Sequence, residues 1–289
     1  MDGPLSSDSG GAHVLADDPT NPGHDPQPVQ DGHMALDLHH VVDGPADAPA
    51  VLFGPSLGTD LHLFDAQVAA LSDRFRCVRF DLPGHGDSAP VTGDLTIADL
   101  GRGALAAADA AGVADFHYVG VSIGGAIGQW LGVHGGERVR SIAVLATAAR
   151  FPNPDSWPQR AATVRADGTA AMVGSRPGTW YVESWAQRDP AGEQRLLDML
   201  RASDDESYAA CCAAIGAFDI RAELGGVSVP ALAVAGADDP ATPPSSLHEI
   251  ADAIPGARYA EVADSAHLLN YERPDEVNAL LTEHLTARS

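Results

Sequence analysis

The residues Gly120-Val121-Ser122-Ile123-Gly124 place a serine between two glycines, each two positions away. A serine hydroxyl is a weak nucleophile until a base takes its proton, so the chemistry on offer is acyl transfer through an activated serine. The surroundings suit it: an apolar run, Phe116 to Val121, reads as a strand, and Ile123 to His134 reads as a helix. The pattern G-x-S-x-G at such a junction exposes the hydroxyl on a sharp strand-to-helix turn. The flanking glycines let strand and helix approach without a clash. The helix start supplies N–H donors and positive potential for an oxyanion, beginning with the N–H of Ile123. A second donor is expected from the loop after the short run Ala50 to Phe53, and the N–H of Leu57 is placed there.

The base and the acid must come from elsewhere in the chain. Twelve histidines are present. His267 stands out because it follows the last strand, Arg258 to Val262, in the loop Asp264-Ser265-Ala266-His267. His85, in the turn Pro83-Gly84-His85-Gly86, is its rival and better suits bracing that turn. An acid is needed to orient the imidazole and stabilise its charged form. Asp238 and Asp239 both follow the apolar strand Val229 to Ala235; Asp239, three residues after Gly236, is assigned the role, with Asp238 the alternative. The other conceivable position, Ala146 to Phe151, contains no Asp or Glu. The candidate catalytic set is therefore Ser122, Asp239 and His267.

These residues need a scaffold that brings strand ends together. Met34 to Val42, Ala50 to Phe53, Cys77 to Phe80, Phe116 to Val121 and Ser141 to Ala146 read as strands, separated by helical runs. Thr96-Ile97-Ala98-Asp99 has the form of a capping box. Strand and helix alternating at this spacing predict an α/β fold: a mostly parallel sheet with helices on both faces. The rhythm breaks between Phe151 and Asp219, where amphipathic runs carry Trp157, Trp180 and Trp185, and then resumes. Residues 151–219 are expected to be a helical cap, 32–150 and 220–289 the core, and 1–31 a disordered acidic tail rich in Pro, Gly and Asp.

Composition excludes other classes. The net charge of −23 repels nucleic acid and anionic membrane. All 17 basic residues are arginine. No apolar run approaches the ~18 residues that span a bilayer. Three cysteines, two of them adjacent, form neither a disulfide framework nor a zinc pattern. The start lacks a secretory leader. A cytoplasmic protein is expected, working without metal or cofactor on a small molecule and water, with a homo-oligomer left open.

Several segments together resemble the 3-oxoadipate enol-lactonases of the α/β-hydrolase superfamily. They are Ser56-Leu57-Gly58-Thr59-Asp60-Leu61, the turn Asp81 to Ser88, Ser122-Ile123-Gly124-Gly125, Gly128-Gln129-Trp130-Leu131-Gly132, Thr147 to Arg150, Ser156-Trp157 and Cys211 to Ile215. The likeness runs from about Met34 to the C-terminus. The order Ser, Asp, His is the one that superfamily uses. The resemblance implies an α/β-hydrolase fold with an eight-stranded sheet and a helical cap, and hydrolysis of a five-membered enol-lactone in bacterial breakdown of aromatic acids without a metal; because the chain ends soon after its last helix, no fused decarboxylase is expected. Gly54-Pro55, Leu82-Pro83 and the cap segment Gly174 to Trp180 differ from the family pattern. Rival reactions on the same triad are carbon–carbon bond hydrolysis of ring-cleavage products and acyl transfer or perhydrolysis. A substrate bearing a carboxylate needs a local cation, for which Arg150 is the candidate; Trp157 and Trp180 are candidate pocket walls.

Overall fold

The computed structural model describes Met1, Gly3 and residues 36–287. The expected tail, residues 1–31, lies outside the described residues apart from Met1 and Gly3. Strands are β1 (His40–Asp43), β2 (Ala50–Gly54), β3 (Arg76–Phe80), β4 (Phe116–Val121), β5 (Val139–Leu145), β6 (Ala231–Gly236) and β7 (Arg258–Val262). They form one sheet in the order β1-β3-β2-β4-β5-β6-β7. β1 runs antiparallel to β3 and every other neighbouring pair is parallel.

Among the described residues the sheet has seven strands, not the expected eight. The alternating run before Gly44 yields a single edge strand, which the turn at Gly44, with φ 89°, brings to an end. The runs are continuously apolar because each of these strands is buried on both sides. Every residue of β2, β4 and β6 is buried, so helices cover both faces of the sheet.

The helices of the sheet domain are α1 (Asp65–Leu71), α2 (Ile97–Ala110) and α3 (Ile123–His134), followed after the insertion by α8 (Pro244–Ala253), α9 (Leu269–Glu272) and α10 (Pro274–Thr286). The capping box at α2 forms as its spelling implies. Thr96 Oγ1 accepts the Asp99 N–H at 3.1 Å, and Asp99 Oδ2 accepts the Thr96 N–H at 3.0 Å.

Between β5 and β6 the chain builds α4 (Ser156–Asp167), α5 (Glu183–Arg188), α6 (Pro190–Ala202) and α7 (Asp205–Ala217). This insertion leaves and returns at one neck. Arg150 and Asp219 pair as an isolated antiparallel bridge, and the Ile220 N–H donates to Ala149 O at 3.0 Å. On that neck we propose 151–219 as a cap on a core of 32–150 and 220–289. The cap is tied to the sheet's loops. The Asp204 N–H donates to Gly84 O at 2.7 Å, and the Leu268 N–H to Trp180 O at 2.8 Å.

The closest backbone approach in the core lies beneath the serine. A Cβ built on Gly124, in the first turn of α3, would stand 2.0 Å from Gly54 O and 2.8 Å from Pro55 O. One on Gly120 would stand 2.2 Å from Gly124 O. Backbone atoms cannot swing aside as a side chain can. Gly124→Ala should therefore cost about 1–3 kcal/mol or more, as overpacking does. A urea midpoint unchanged from the wild type would show that β2 and α3 have room to separate.

Candidate active site

Ser122 sits between β4 and α3 with φ 60° and ψ −117°. This backbone conformation is sparsely populated for a residue with a side chain and holds only where neighbours enforce it. The enforcers are present. The Ser122 N–H donates to Leu145 O at 2.9 Å, and Thr147 Oγ1 donates to Ser122 O at 2.8 Å. Tyr118 Oη donates to Gly124 O at 3.0 Å and steadies the first turn of α3.

His267 and Asp239 meet from separate loops, the first after β7 and the second after β6. His267 Nδ1 donates to Asp239 Oδ2 across 2.8 Å. Thr242 Oγ1 donates to the same carboxylate oxygen at 2.7 Å, while the N–H groups of Ala241 and Thr242 donate to Oδ1 at 2.8 and 3.1 Å. Burial pushes the Asp239 carboxyl up, but the imidazole and the Thr242 donors outweigh it, leaving the group below its ordinary value. An ionised acid fixes the Nδ1–H tautomer and leaves Nε2 as the acceptor. Asp238, the alternative acid, is exposed.

Ser122 and His267 line one cavity of about 140 Å³ at the C-terminal edge of the parallel strands, under the cap. That edge is where open α/β sheets bind ligands. Leu57, Trp157 and Trp180 line it too. Ile123 opens α3, directly after the serine. The loop carrying Leu57 is held by its neighbour: the Gly58 N–H donates to His85 Nε2 at 3.1 Å, while His85 Nδ1 donates to Pro83 O at 2.8 Å. His85 is thus a brace between two loops. Burial lowers its pKa and keeps Nε2 an acceptor.

Arg150 is not in this cavity. It is half exposed at the cap's neck, 3.9 Å from Asp219. The neck bridge sets it beside Asp219, outside the lining of the cavity. The cations in the cavity are Arg160 of α4 and Arg176, which sequence reasoning missed. Arg160 lies over the Trp157 ring at 4.5 Å and Arg176 over the Trp180 ring at 5.1 Å. Neither has a carboxylate within ion-pair distance among the described residues. Arg176 is 3 % exposed. Burial above all, together with the charge of Arg160, pulls its guanidinium down from the ordinary value. A buried guanidinium beside a half-buried one, neither compensated by a carboxylate among the described residues, favours an anion in the cavity. Tyr208, also in the wall, feels both charges; burial raises its hydroxyl to about 12. The signal in the sequence was faint: Arg160 follows Trp157 by one helical turn, and Arg176 lies in the segment that departs from the family pattern.

The thiols are unsuited to nucleophilic work. Cys77, Cys211 and Cys212 are buried, and burial pushes Cys77 and Cys212 up to about 12. Among the described residues no cluster of three or more His, Cys, Asp and Glu could hold a metal, and no helix is long and apolar enough to cross a membrane.

The two aspartates predict different outcomes. Asp239→Asn should lower kcat by about 10⁴-fold, the scale seen when a triad aspartate is amidated. Asp238→Asn should change it by less than about twofold, since an exposed carboxylate there is weakly felt. Steady-state ester hydrolysis by the two variants checks this, and the reverse ranking would exchange their roles.

A family model described as the alpha/beta hydrolase fold matches residues 49–274. The chain is 34 % identical to 3-oxoadipate enol-lactonase 1 of Acinetobacter baylyi over 81 % of its own length and 88 % of that protein. Against 3-oxoadipate enol-lactonase 2 of the same organism the identity is 32 %, covering 83 % and 90 %. Among solved structures, the enol-lactonase from Burkholderia xenovorans LB400 superposes with a TM-score of 0.84 at 37 % identity, covering 86 % of this chain and 96 % of that one. The chain belongs to the α/β-hydrolase fold family, among the carboxylic ester hydrolases that the 3-oxoadipate enol-lactonases represent.

Proposed function

We propose that this hydrolase opens a carboxylate-bearing lactone of the 3-oxoadipate enol-lactone type through an acyl-enzyme on Ser122. The observation that carries the reading is one cavity holding Ser122, His267 with Nδ1 on Asp239, and two arginines without carboxylate partners. The enol-lactonase relatives support the lactone. The arginines support the carboxylate.

The steps follow from the groups present. His267 Nε2 takes the proton of Ser122 as Oγ attacks the lactone carbonyl. The N–H groups of Leu57 and Ile123 receive the oxyanion, assisted by the positive end of α3. Collapse breaks the ring C–O bond, and His267 returns the proton to the leaving enolate. Water, deprotonated by the same imidazole, then attacks the acyl-enzyme and frees Ser122. Arg160 and Arg176 hold the substrate's carboxylate beside Trp157 and Trp180. The chain's net charge of −23 repels anions at long range, so local cations must capture one at close range, where the dielectric is low and ions screen little.

Ser122→Ala should abolish turnover and labelling by a fluorophosphonate while the protein stays folded; turnover retained at more than a small fraction would refute the nucleophile. Arg160→Met and Arg176→Met should each raise KM for a carboxylate-bearing lactone by about 10- to 100-fold, the worth of a hydrogen bond to a charged group. KM for a neutral aryl acetate should stay nearly constant. Equal effects on both substrates would remove the anion-binding role.

A further inference from the structure

One buried carboxylate near the site takes no part in the steps above. Glu272 closes α9, the short helix that starts two residues after His267, and is 5 % exposed. Its Oε1 accepts the N–H of Ala266 at 2.6 Å, and its Oε2 accepts the N–H of Val182 at 2.8 Å. Ala266 precedes the base. Val182 closes the cap segment that carries Trp180. Around this carboxylate the two segments already run side by side, with the His267 N–H on Thr179 O at 3.3 Å and the Leu268 N–H on Trp180 O at 2.8 Å. Glu272 has no ion-pair partner within reach among the described residues. The neighbouring Arg273 is turned to Asp264, at 2.9 Å. A buried carboxylate without a cation is costly, and this one is sustained by backbone donors from two separate parts of the chain.

We propose that Glu272 is a positioning residue: by gripping the backbone on both sides, it sets the His267 loop and the cap segment Thr179 to Val182 in one fixed relation. The inference rests on the Ser122–His267–Asp239 reading. Its consequence is that the base reaches Ser122 only while the cap is seated, which ties proton transfer to closure over the substrate.

The grip requires two acceptor oxygens. A protonated carboxyl, or an amide, presents a donor to one of the two N–H groups and loses that bond. Burial raises Glu272 to about 7 from 4.5; the Val182 and Ala266 N–H groups and Arg273 oppose the rise, and Asp239 adds to it. The charged groups that act on it are therefore Arg273 on its own turn and Asp239 on the loop after β6; the segment Thr179 to Val182 contains no charged side chain. The sign has two parts. Between 4.5 and about 7 the folded chain holds a proton on this group that the unfolded chain releases, so the group's contribution to stability falls as pH rises through that window. Its positioning role is gained over the same window, so stability and activity move in opposite directions.

The test uses the full chain and p-nitrophenyl acetate, with kcat and KM measured from about pH 5 to about pH 9. Fluorophosphonate labelling of the wild type tests the triad by itself, so failure there is distinguishable from failure of this proposal. Glu272→Gln should lower kcat by about 10- to 100-fold, the scale of a slightly misplaced catalytic group, with KM for this neutral ester little changed. The wild-type acid limb of log kcat should contain a component that follows loss of the Glu272 proton, up to about pH 7; in Glu272→Gln that component should be absent. A kcat within about twofold of the wild type at neutral pH overturns the proposal. Should Glu272→Gln fail to fold, Glu272→Asp decides, because the shorter carboxylate keeps the charge but cannot span both N–H groups: a kcat lowered about 10-fold or more upholds the proposal, and one within about twofold of the wild type overturns it.

Discussion

A serine at φ 60° and ψ −117° occupies backbone space that costs about 1–3 kcal/mol to hold. The rest of the molecule is arranged so that this conformation is the one that fits. Gly54, Gly120 and Gly124 lack side chains where β2, β4 and α3 come together, so the turn can be tighter than any larger residue allows. The Leu145 carbonyl and the Thr147 hydroxyl then pin the serine's own peptide groups. Stability and chemistry share these contacts. The strain that lifts the hydroxyl into the cavity is offset by the burial of β2 and β4 on both faces.

Charge in this protein works on two length scales. The surface is strongly acidic, and its sum discourages nucleic acid, anionic membrane and anionic ligands at a distance. The cavity reverses that sign locally with Arg160 and Arg176, each lying on an indole face and neither matched by a carboxylate among the described residues. Beyond a Debye length the surface is largely screened by salt, so within the cavity the potential is set by the guanidiniums close at hand. Arginine suits the position because it stays protonated when buried, stacks on aromatic rings and presents a fork to a carboxylate.

The site is also a junction. The proposed nucleophile belongs to β4 and α3, the proposed acid and base to loops after β6 and β7, and the cations to the proposed cap. Backbone hydrogen bonds from the His267 loop to Thr179 and Trp180 tie two of these parts together. His85 does the same for the Leu57 loop and the turn at Pro83. The segment 151–219 is thus hydrogen-bonded directly to the loop of His267 and, through Gly84, to the turn that His85 ties to the Leu57 loop.

Much of this could be read before any coordinates. G-x-S-x-G, the strand before it and the helix after it are local patterns, and local patterns set local structure through periodicity and capping. The Ser, Asp, His order and the break in rhythm between Phe151 and Asp219 were legible for the same reason. The eighth strand came with the family pattern and has no run of its own here: the alternating and apolar runs of the described residues supply seven. Arg150 was chosen for its nearness to the cap in the chain, yet the neck spends it on Asp219. Arg160, Arg176 and Glu272 came into view only with tertiary structure. A buried cation or carboxylate gains its meaning from which partners are absent and which backbone groups are near, and those are properties of segments brought together from far apart in the chain. The sequence by itself determined which groups could do the chemistry and which elements would carry them; packing alone decided which charges face the cavity, because burial is a property of neighbours and not of spelling.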